Sequence, residues 1–190
     1  MAKLLVGLGN PGKKYAKTRH NVGFLILDRL AEKWGVSFDR EKFSGNFGEH
    51  REGDEKIYLL KPQTYMNLSG ESAQPWIKFL KLEPADLLVV HDEIDLPLGR
   101  MKAQWAAGTG GHQGVTSIVE RLGHKDFNRL RVGVGHPGSK EKVPDFVLSP
   151  FSSEEQSLLE EVLDQGVLAL ETFVQKGLDA VARMVNRRDS

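Results

Sequence analysis

The sequence contains no cysteine. Disulfides, thiolate nucleophiles, cysteine-ligated zinc and iron–sulfur clusters are therefore excluded. It has no apolar run of the roughly 20 residues that cross a bilayer. Its opening, Met1-Ala2-Lys3 followed by Leu4-Leu5-Val6-Gly7, is too short and too glycine-rich for a secretory signal, so a cytoplasmic location with no membrane partner is expected. Net charge is missing too: 26 Lys and Arg balance 26 Asp and Glu, which speaks against a surface coated for bulk nucleic-acid binding. Repeats, low-complexity tracts and linkers are absent as well. Residues 1–190 are accordingly read as a single domain, with 39% hydrophobic residues to build its core.

The charge is unevenly spread. Lys3, Lys13, Lys14, Lys17 and Arg19 fall in the first twenty residues without an acid among them, and Arg183, Arg187 and Arg188 crowd the C-terminus. Such clusters either meet phosphates or form a solvated face.

Apolar runs and turn residues alternate along the chain. Lys3 to Leu8, Leu87 to His91, Met101 to Ala107 and Leu130 to Val134 read as strands. Phe43 to His50 and Glu55 to Lys61 read as a hairpin through Glu52-Gly53-Asp54. Helical spacing predicts helices from an Asn21 cap to Trp34, from Asn67 or Ser69 to Leu80, and over 115–122, 154–173 and 178–185. Pro75 predicts a kink or a later start in the second of these. Interleaved strands and helices give an α/β class with a twisted, mostly parallel or mixed sheet flanked by helices. Sites in such sheets lie beyond the carboxyl ends of the strands. Asn10, Asn67, Asp92 and the loop Gly108-Thr109-Gly110-Gly111-His112-Gln113-Gly114 each follow a predicted strand, so four polar features from distant segments are expected to meet in one crevice.

Gly7-Leu8-Gly9-Asn10-Pro11-Gly12 matches G-x-G-x-x-G. A dinucleotide turn opens a helix at once, whereas Pro11-Gly12 breaks the chain and no apolar stripe follows. A tight turn without a cofactor is the preferred reading. His20 stands before a helix, and histidine accepts a proton near neutrality. As a general base it needs an orienting partner, which Asp92 after a buried strand supplies; the bland alternative is a surface histidine and a capping carboxylate. His91-Asp92-Glu93-Ile94-Asp95 lacks metal-ligand spacing, and alternation sends Asp92 and Glu93 to opposite faces. Ser69 in Asn67-Leu68-Ser69-Gly70 is no nucleophile elbow. Asn10, Asn67 and Gln113 are turn amides. They serve either local hydrogen bonding or, as neutral groups, an oxyanion or a ribose hydroxyl.

Taken in order, these stretches resemble the bacterial peptidyl-tRNA hydrolase family. The matching segments are Gly7 to Gly12 with Tyr15, Thr18-Arg19-His20-Asn21, Pro62-Gln63-Thr64-Tyr65-Met66-Asn67-Leu68-Ser69-Gly70, and His91-Asp92-Glu93 with Asp95-Leu96-Pro97 and Gly99. Gly110-Gly111-His112, Leu130-Arg131-Val132-Gly133 and Gly135-His136-Pro137-Gly138 complete the set, which spans essentially the whole chain. The resemblance implies cleavage of the ester between peptide and tRNA, with His20 activating water and Asp92 orienting it. It implies that Asn10 recognises the first peptide amide, that Asn67 holds substrate or water, and that Tyr15, Tyr65 and Met66 line the pocket. His112 and Gln113 would contact substrate, and Arg131 a tRNA phosphate. Two positions depart from the family: Gln113 stands where Asn is usual, and Gln104 where many members carry Lys. A monomer without cofactor or metal is expected. The alternative is a non-catalytic RNA-binding relative. Asp92→Asn is expected to cost less activity than loss of His20.

Overall fold

The computed structural model describes residues 1–186. Arg187 and Arg188, which the sequence marks as part of a basic C-terminal cluster, lie outside the described residues. Four strands form a parallel centre: β1 (Ala2–Gly7), β4 (Glu55–Pro62), β5 (Leu87–Glu93) and β7 (Asn128–Gly133). Antiparallel strands extend both sides, β2 (Arg40–Lys42) and β3 (Gly45–Glu52) beyond β4, and β6 (Met101–Trp105) beyond β7. The order is β2-β3-β4-β1-β5-β7-β6, a mixed sheet in the α/β class that the sequence pattern predicts.

Strand alternation divides the core in two. Leu5, Leu88, Val90, Leu130 and Val132 face one layer, which holds α1 (Val22–Trp34), α5 (Gln156–Lys176) and α6 (Leu178–Val185). Leu4, Val6, Leu87 and Val89 face the other, which holds α2 (Ser69–Leu80) and α3 (Gln113–Leu122). Because both faces of β1 and β5 are covered, these strands read as unbroken apolar runs.

Two glycines bring α1 down onto the strand ends. A Cβ on Gly7 would lie 2.5 Å from the carbonyl oxygen of Gly23, and one on Gly23 would lie 2.6 Å from that of Val90. A Cβ on Gly9 would strike the Phe24 ring at 2.8 Å. The first glycines of the G-x-G-x-x-G stretch are thus spent on helix–strand packing. The chain after Gly12 runs through turns to a short 3-10 helix, Arg19–Asn21, with no helix opening at the motif.

Several boundaries differ from the sequence reading for physical reasons. The second helix runs from Ser69 to Leu80 as the spacing predicts, and only the later start suggested by Pro75 is not seen. The missing Pro N–H is tolerated where Ser72, Ala73 and Trp76 are buried against the sheet. The third starts at Gln113, because His112 accepts hydrogen bonds from the Gly114 and Val115 amides and serves as its N-cap. Asn21 sits at the N-cap of α1 without capping it; its side chain is used elsewhere. Neither β2 nor the one-turn helix α4 (Val143–Val147) is visible in the sequence. The strand is a charged Arg-Glu-Lys with no alternation, and the helix carries Pro144 near its start.

Candidate active site

At the carboxyl ends of β1 and β5 lies a cleft of about 600 Å³. Asn10, His20, Tyr65, Met66, Asn67, Asp92, His112 and Gln113 all line it. Its far wall comes from α4 and the residues before and after it, with Lys140, Val143, Pro144, Val147 and Leu148. Asn10, Asn67, Asp92 and the glycine loop therefore do meet in one crevice.

Asp92 lies at its centre. His20 Nδ1 is 2.7 Å from Asp92 Oδ2, and His112 Nε2 is 2.7 Å from Asp92 Oδ1. The carboxylate is 3% exposed. Burial alone would raise its proton affinity, but the flanking imidazoles outweigh this and hold it well below the ordinary carboxylate range. The tautomer of His112 follows from its other nitrogen. Nδ1 accepts from the amides of Gly114 and Val115 at 3.1 and 3.2 Å, so Nε2 carries the proton and donates it to Asp92. Beneath lies His91, fully buried, its ring 4.8 Å from that of His112 and edge-on to it. Its Nδ1 lies 2.8 Å from the Asp92 carbonyl oxygen and its Nε2 has no partner. Burial, then the neighbouring His112, push its pKa down to about 3.

The 3-10 helix that carries His20 is fixed through Asn21. Asn21 Oδ1 accepts from the Asn10 amide, and Asn21 Nδ2 donates to the Asn10 carbonyl, both at 2.9 Å. Asn10 Oδ1 in turn accepts the Met66 amide at 2.7 Å. This fixes the Asn10 side chain through Oδ1 and leaves Nδ2 as its remaining donor at the cleft. Met66 is buried, while Tyr65, Asn67 and Gln113 are exposed at the cleft mouth.

Other sequence candidates lie outside the cleft lining. Tyr15 is half-buried in the preceding turn, with the Lys14 ammonium 5.5 Å from its ring centre. Arg131 donates from Nε to Glu93 Oε1 at 2.8 Å and from Nη1 to Gln104 Oε1 at 2.6 Å. Glu93 pairs with Arg131 while Asp92 pairs with the two histidines, although both border the cleft. Of the N-terminal basic residues, Lys3 is paired with Glu55 and Arg19 is buried against its own chain. Only Lys13, Lys14 and Lys17 remain exposed there for a phosphate.

The ligand-type atoms of His20, Asp92 and His112 lie within 4.8 Å of one another. Donors sharing a zinc-sized ion would stand roughly 3.4 Å apart, given metal–ligand bonds of about 2.1 Å. The separations of 2.7 Å match shared protons better than a shared metal.

Sequence reasoning finds His20 and Asp92 but misses three supports. His112 on the second oxygen of Asp92 has no spacing signal. The Asn21–Asn10 pair joins residues eleven apart through a loop. Arg129, buried in β7, donates to the Gly108 carbonyl at 2.7 Å and anchors the glycine loop.

Comparison with known proteins agrees with this geometry. The family model described as peptidyl-tRNA hydrolase matches residues 4–190. A peptidyl-tRNA hydrolase of Desulfitobacterium hafniense is 47% identical over 185 residues, covering 97% of this chain and 100% of that protein. One from Citrifermentans bemidjiense is 47% identical over 187 residues, covering 98% and 99%. The crystal structure of peptidyl-tRNA hydrolase from Acinetobacter baumannii superposes with a TM-score of 0.88 at 40% identity, over 95% of this chain and 94% of that one. With a family match over nearly its whole length, relatives near half identity and a shared fold, this chain belongs to the peptidyl-tRNA hydrolase family.

Proposed function

We propose that this chain hydrolyses the ester linking a peptide to the terminal ribose of tRNA, releasing peptide and free tRNA. The observation that carries this reading is the His20–Asp92 pair at 2.7 Å, buried behind and open to the cleft in front. Asp92 accepts the Nδ1 proton of His20, so the Nε2 lone pair faces the cleft and takes a proton from water. The water oxygen attacks the ester carbonyl, and the tetrahedral oxyanion is met by neutral amide donors. On collapse the ribose oxygen leaves and His20 returns the proton to it. An ester is activated enough for this to proceed without a covalent enzyme intermediate.

Asn10, its Oδ1 held by the Met66 amide, turns Nδ2 to the first peptide carbonyl, which a free aminoacyl group lacks. Asn67 and Gln113 serve the substrate at the mouth, and Met66 and Tyr65 pack against it. His112 serves Asp92 more directly than the substrate. Tyr15 and Arg131 stand at the periphery, suited to the tRNA. In this reading residues 1–190 act as one domain and a monomer in the cytoplasm, without metal, cofactor or membrane. Among the described residues no helix is long and apolar enough to cross a membrane.

The test is release of N-acetyl amino acid from N-acetyl-aminoacyl-tRNA in EDTA, with unblocked aminoacyl-tRNA as control. Turnover of the blocked substrate alone supports the reading. Binding of tRNA without turnover would replace it with a non-catalytic RNA-binding role.

A further inference from the structure

Arg19, next to His20, is 8% exposed and makes no contact with the cleft. Its guanidinium is spent on one distant stretch of chain. Nη1 donates to the carbonyls of Phe146 and Ser149 at 3.4 Å, to that of Pro150 at 3.0 Å, and to Ser149 Oγ. Nη2 donates to Glu155 Oε1 at 2.7 Å, and the same carboxylate oxygen accepts the Ser152 amide at 2.8 Å. The plane sits 4.2 Å from the centre of the Phe146 ring. The backbone joins in, with the Arg19 amide 3.0 Å from the Ser149 carbonyl and a bridge between Thr18 and Pro150. The residues held begin inside α4 and end before α5. Val143 and Pro144 just before this stretch, with Val147 and Leu148 inside it, form the far wall of the cleft.

We propose that Arg19 is a positioning residue: it latches the α4 wall to the turn that carries His20, and so fixes the width of the cleft that receives the substrate. The substrate named here rests on the ester-hydrolase reading above, whereas the latch itself does not. A buried guanidinium is costly unless its donors are paired. Both Nη atoms of Arg19 are bonded to this one stretch, and Nε alone has no partner among the described residues, as a planar fork turned to several acceptors of one loop allows. The arrangement fits a rigid tie between two segments some 130 residues apart in sequence better than a phosphate contact.

The experiment compares Arg19→Gln, Arg19→Lys and Glu155→Gln with the wild type by amide hydrogen exchange over 143–150 without substrate. KM and kcat on N-acetyl-aminoacyl-tRNA are measured in parallel. In Arg19→Gln, exchange over 143–150 is expected to quicken about tenfold, the equivalent of one charge-assisted hydrogen bond. KM rises by a similar factor while kcat stays within about threefold. Arg19→Lys keeps the charge but not the fork and falls between. Glu155→Gln lies away from the cleft and shifts both readouts the same way. Adding it to Arg19→Gln has no further effect, as befits one unit. Should Arg19→Gln fail to fold, Glu155→Gln carries the test. Unchanged exchange over 143–150 would overturn the latch, as would a fall in kcat with KM unmoved, which would place Arg19 behind His20 instead of the wall. If the wild type proves to cleave no ester, the proposed function fails, and the exchange data alone decide the latch.

Discussion

The two sides of the cleft are built differently. On the inner side Asn10, His20 and Asp92 are 7%, 9% and 3% exposed, and each has its protein-facing atoms tied. At the mouth Tyr65 is 60% exposed, and Asn67, Gln113 and Lys140 are also exposed. The inner side is organised before substrate arrives, which lets its dipoles act without rearranging during reaction. The outer side leaves part of the ordering to the substrate, at some cost in affinity. What both share is the short stretch from Thr18 to Asn21, which carries the base in one direction and grips the far wall in the other.

The largest break of this contrast is expected at Asp92. His20→Ala should lower kcat about a thousandfold, the scale of lost general-base catalysis, with the fold retained. Asp92→Asn was expected from sequence to cost less, and the geometry raises that expectation to about the same loss. An Asn offers one acceptor and one donor group. The locked Nε2–H of His112 claims the oxygen, so the Asn amine faces His20 Nδ1 and forces the proton onto Nε2, the atom that must act as base. Single-turnover hydrolysis measures both; near-normal activity of Asp92→Asn would break the tautomer argument.

Next in size is the acid response of the fixed side. His91 titrates at about 3 when folded and near 6.5 when unfolded. Its folded pKa is depressed by burial, so the unfolded chain binds the proton more readily. The stability that follows from a neutral His91 is complete above about pH 6.5 and is lost as pH falls from there toward 3, by a few kcal/mol. Thermal melts of the wild type across that window should fall more steeply than those of His91→Gln. Parallel curves would remove His91 as the cause.

A smaller effect sharpens the assignment of His112. In the double variant Asp92→Asn/His112→Asn, the new Asn still caps α3 but is too short to claim the oxygen at 92. That oxygen is then free for His20, and activity should recover about tenfold over Asp92→Asn alone. A double variant no better than the single one would sink the idea.

Smallest is a change at the periphery. Gln104 accepts from Arg131 Nη1 at 2.6 Å, so in Gln104→Lys that acceptor is replaced by a second cation beside the guanidinium. If this edge meets tRNA phosphates, log KM should depend on log salt about one contact more steeply. An unchanged slope would take the β6–β7 edge out of tRNA binding.

Legibility from sequence followed the range of the interactions. α6 was readable to the residue and β5 to within two, because apolar periodicity is a local signal. His20 and Asp92 were marked as candidates by their places near a helix start and a strand end. Spacing left their pairing open, and only the family resemblance implied it until the structure set them 2.7 Å apart. His112 was readable as part of a glycine loop but not as the second partner of Asp92. Its role depends on α3 opening at Gln113, and that in turn depends on the His112 cap. Arg19 was counted in a basic cluster that either meets phosphates or forms a solvated face, and it does neither, being buried against 146–155. A charge count does not say which acceptors fold back upon it.

The sequence by itself determined the periodic elements, the mixed α/β class and the presence of a base and a carboxylate, along with the glycines that let α1 rest on β1. These are consequences of side-chain spacing and backbone freedom, which act over a few residues. Only the tertiary structure decided which nitrogen of His112 holds a proton, why Asn21 grips Asn10 instead of capping its helix, and that Arg19 binds the α4 wall. The first depends on the opening turn of α3 being formed at His112 with Asp92 brought to its other nitrogen. The other two depend on donors and acceptors separated along the chain that become partners only when burial removes water as the competitor.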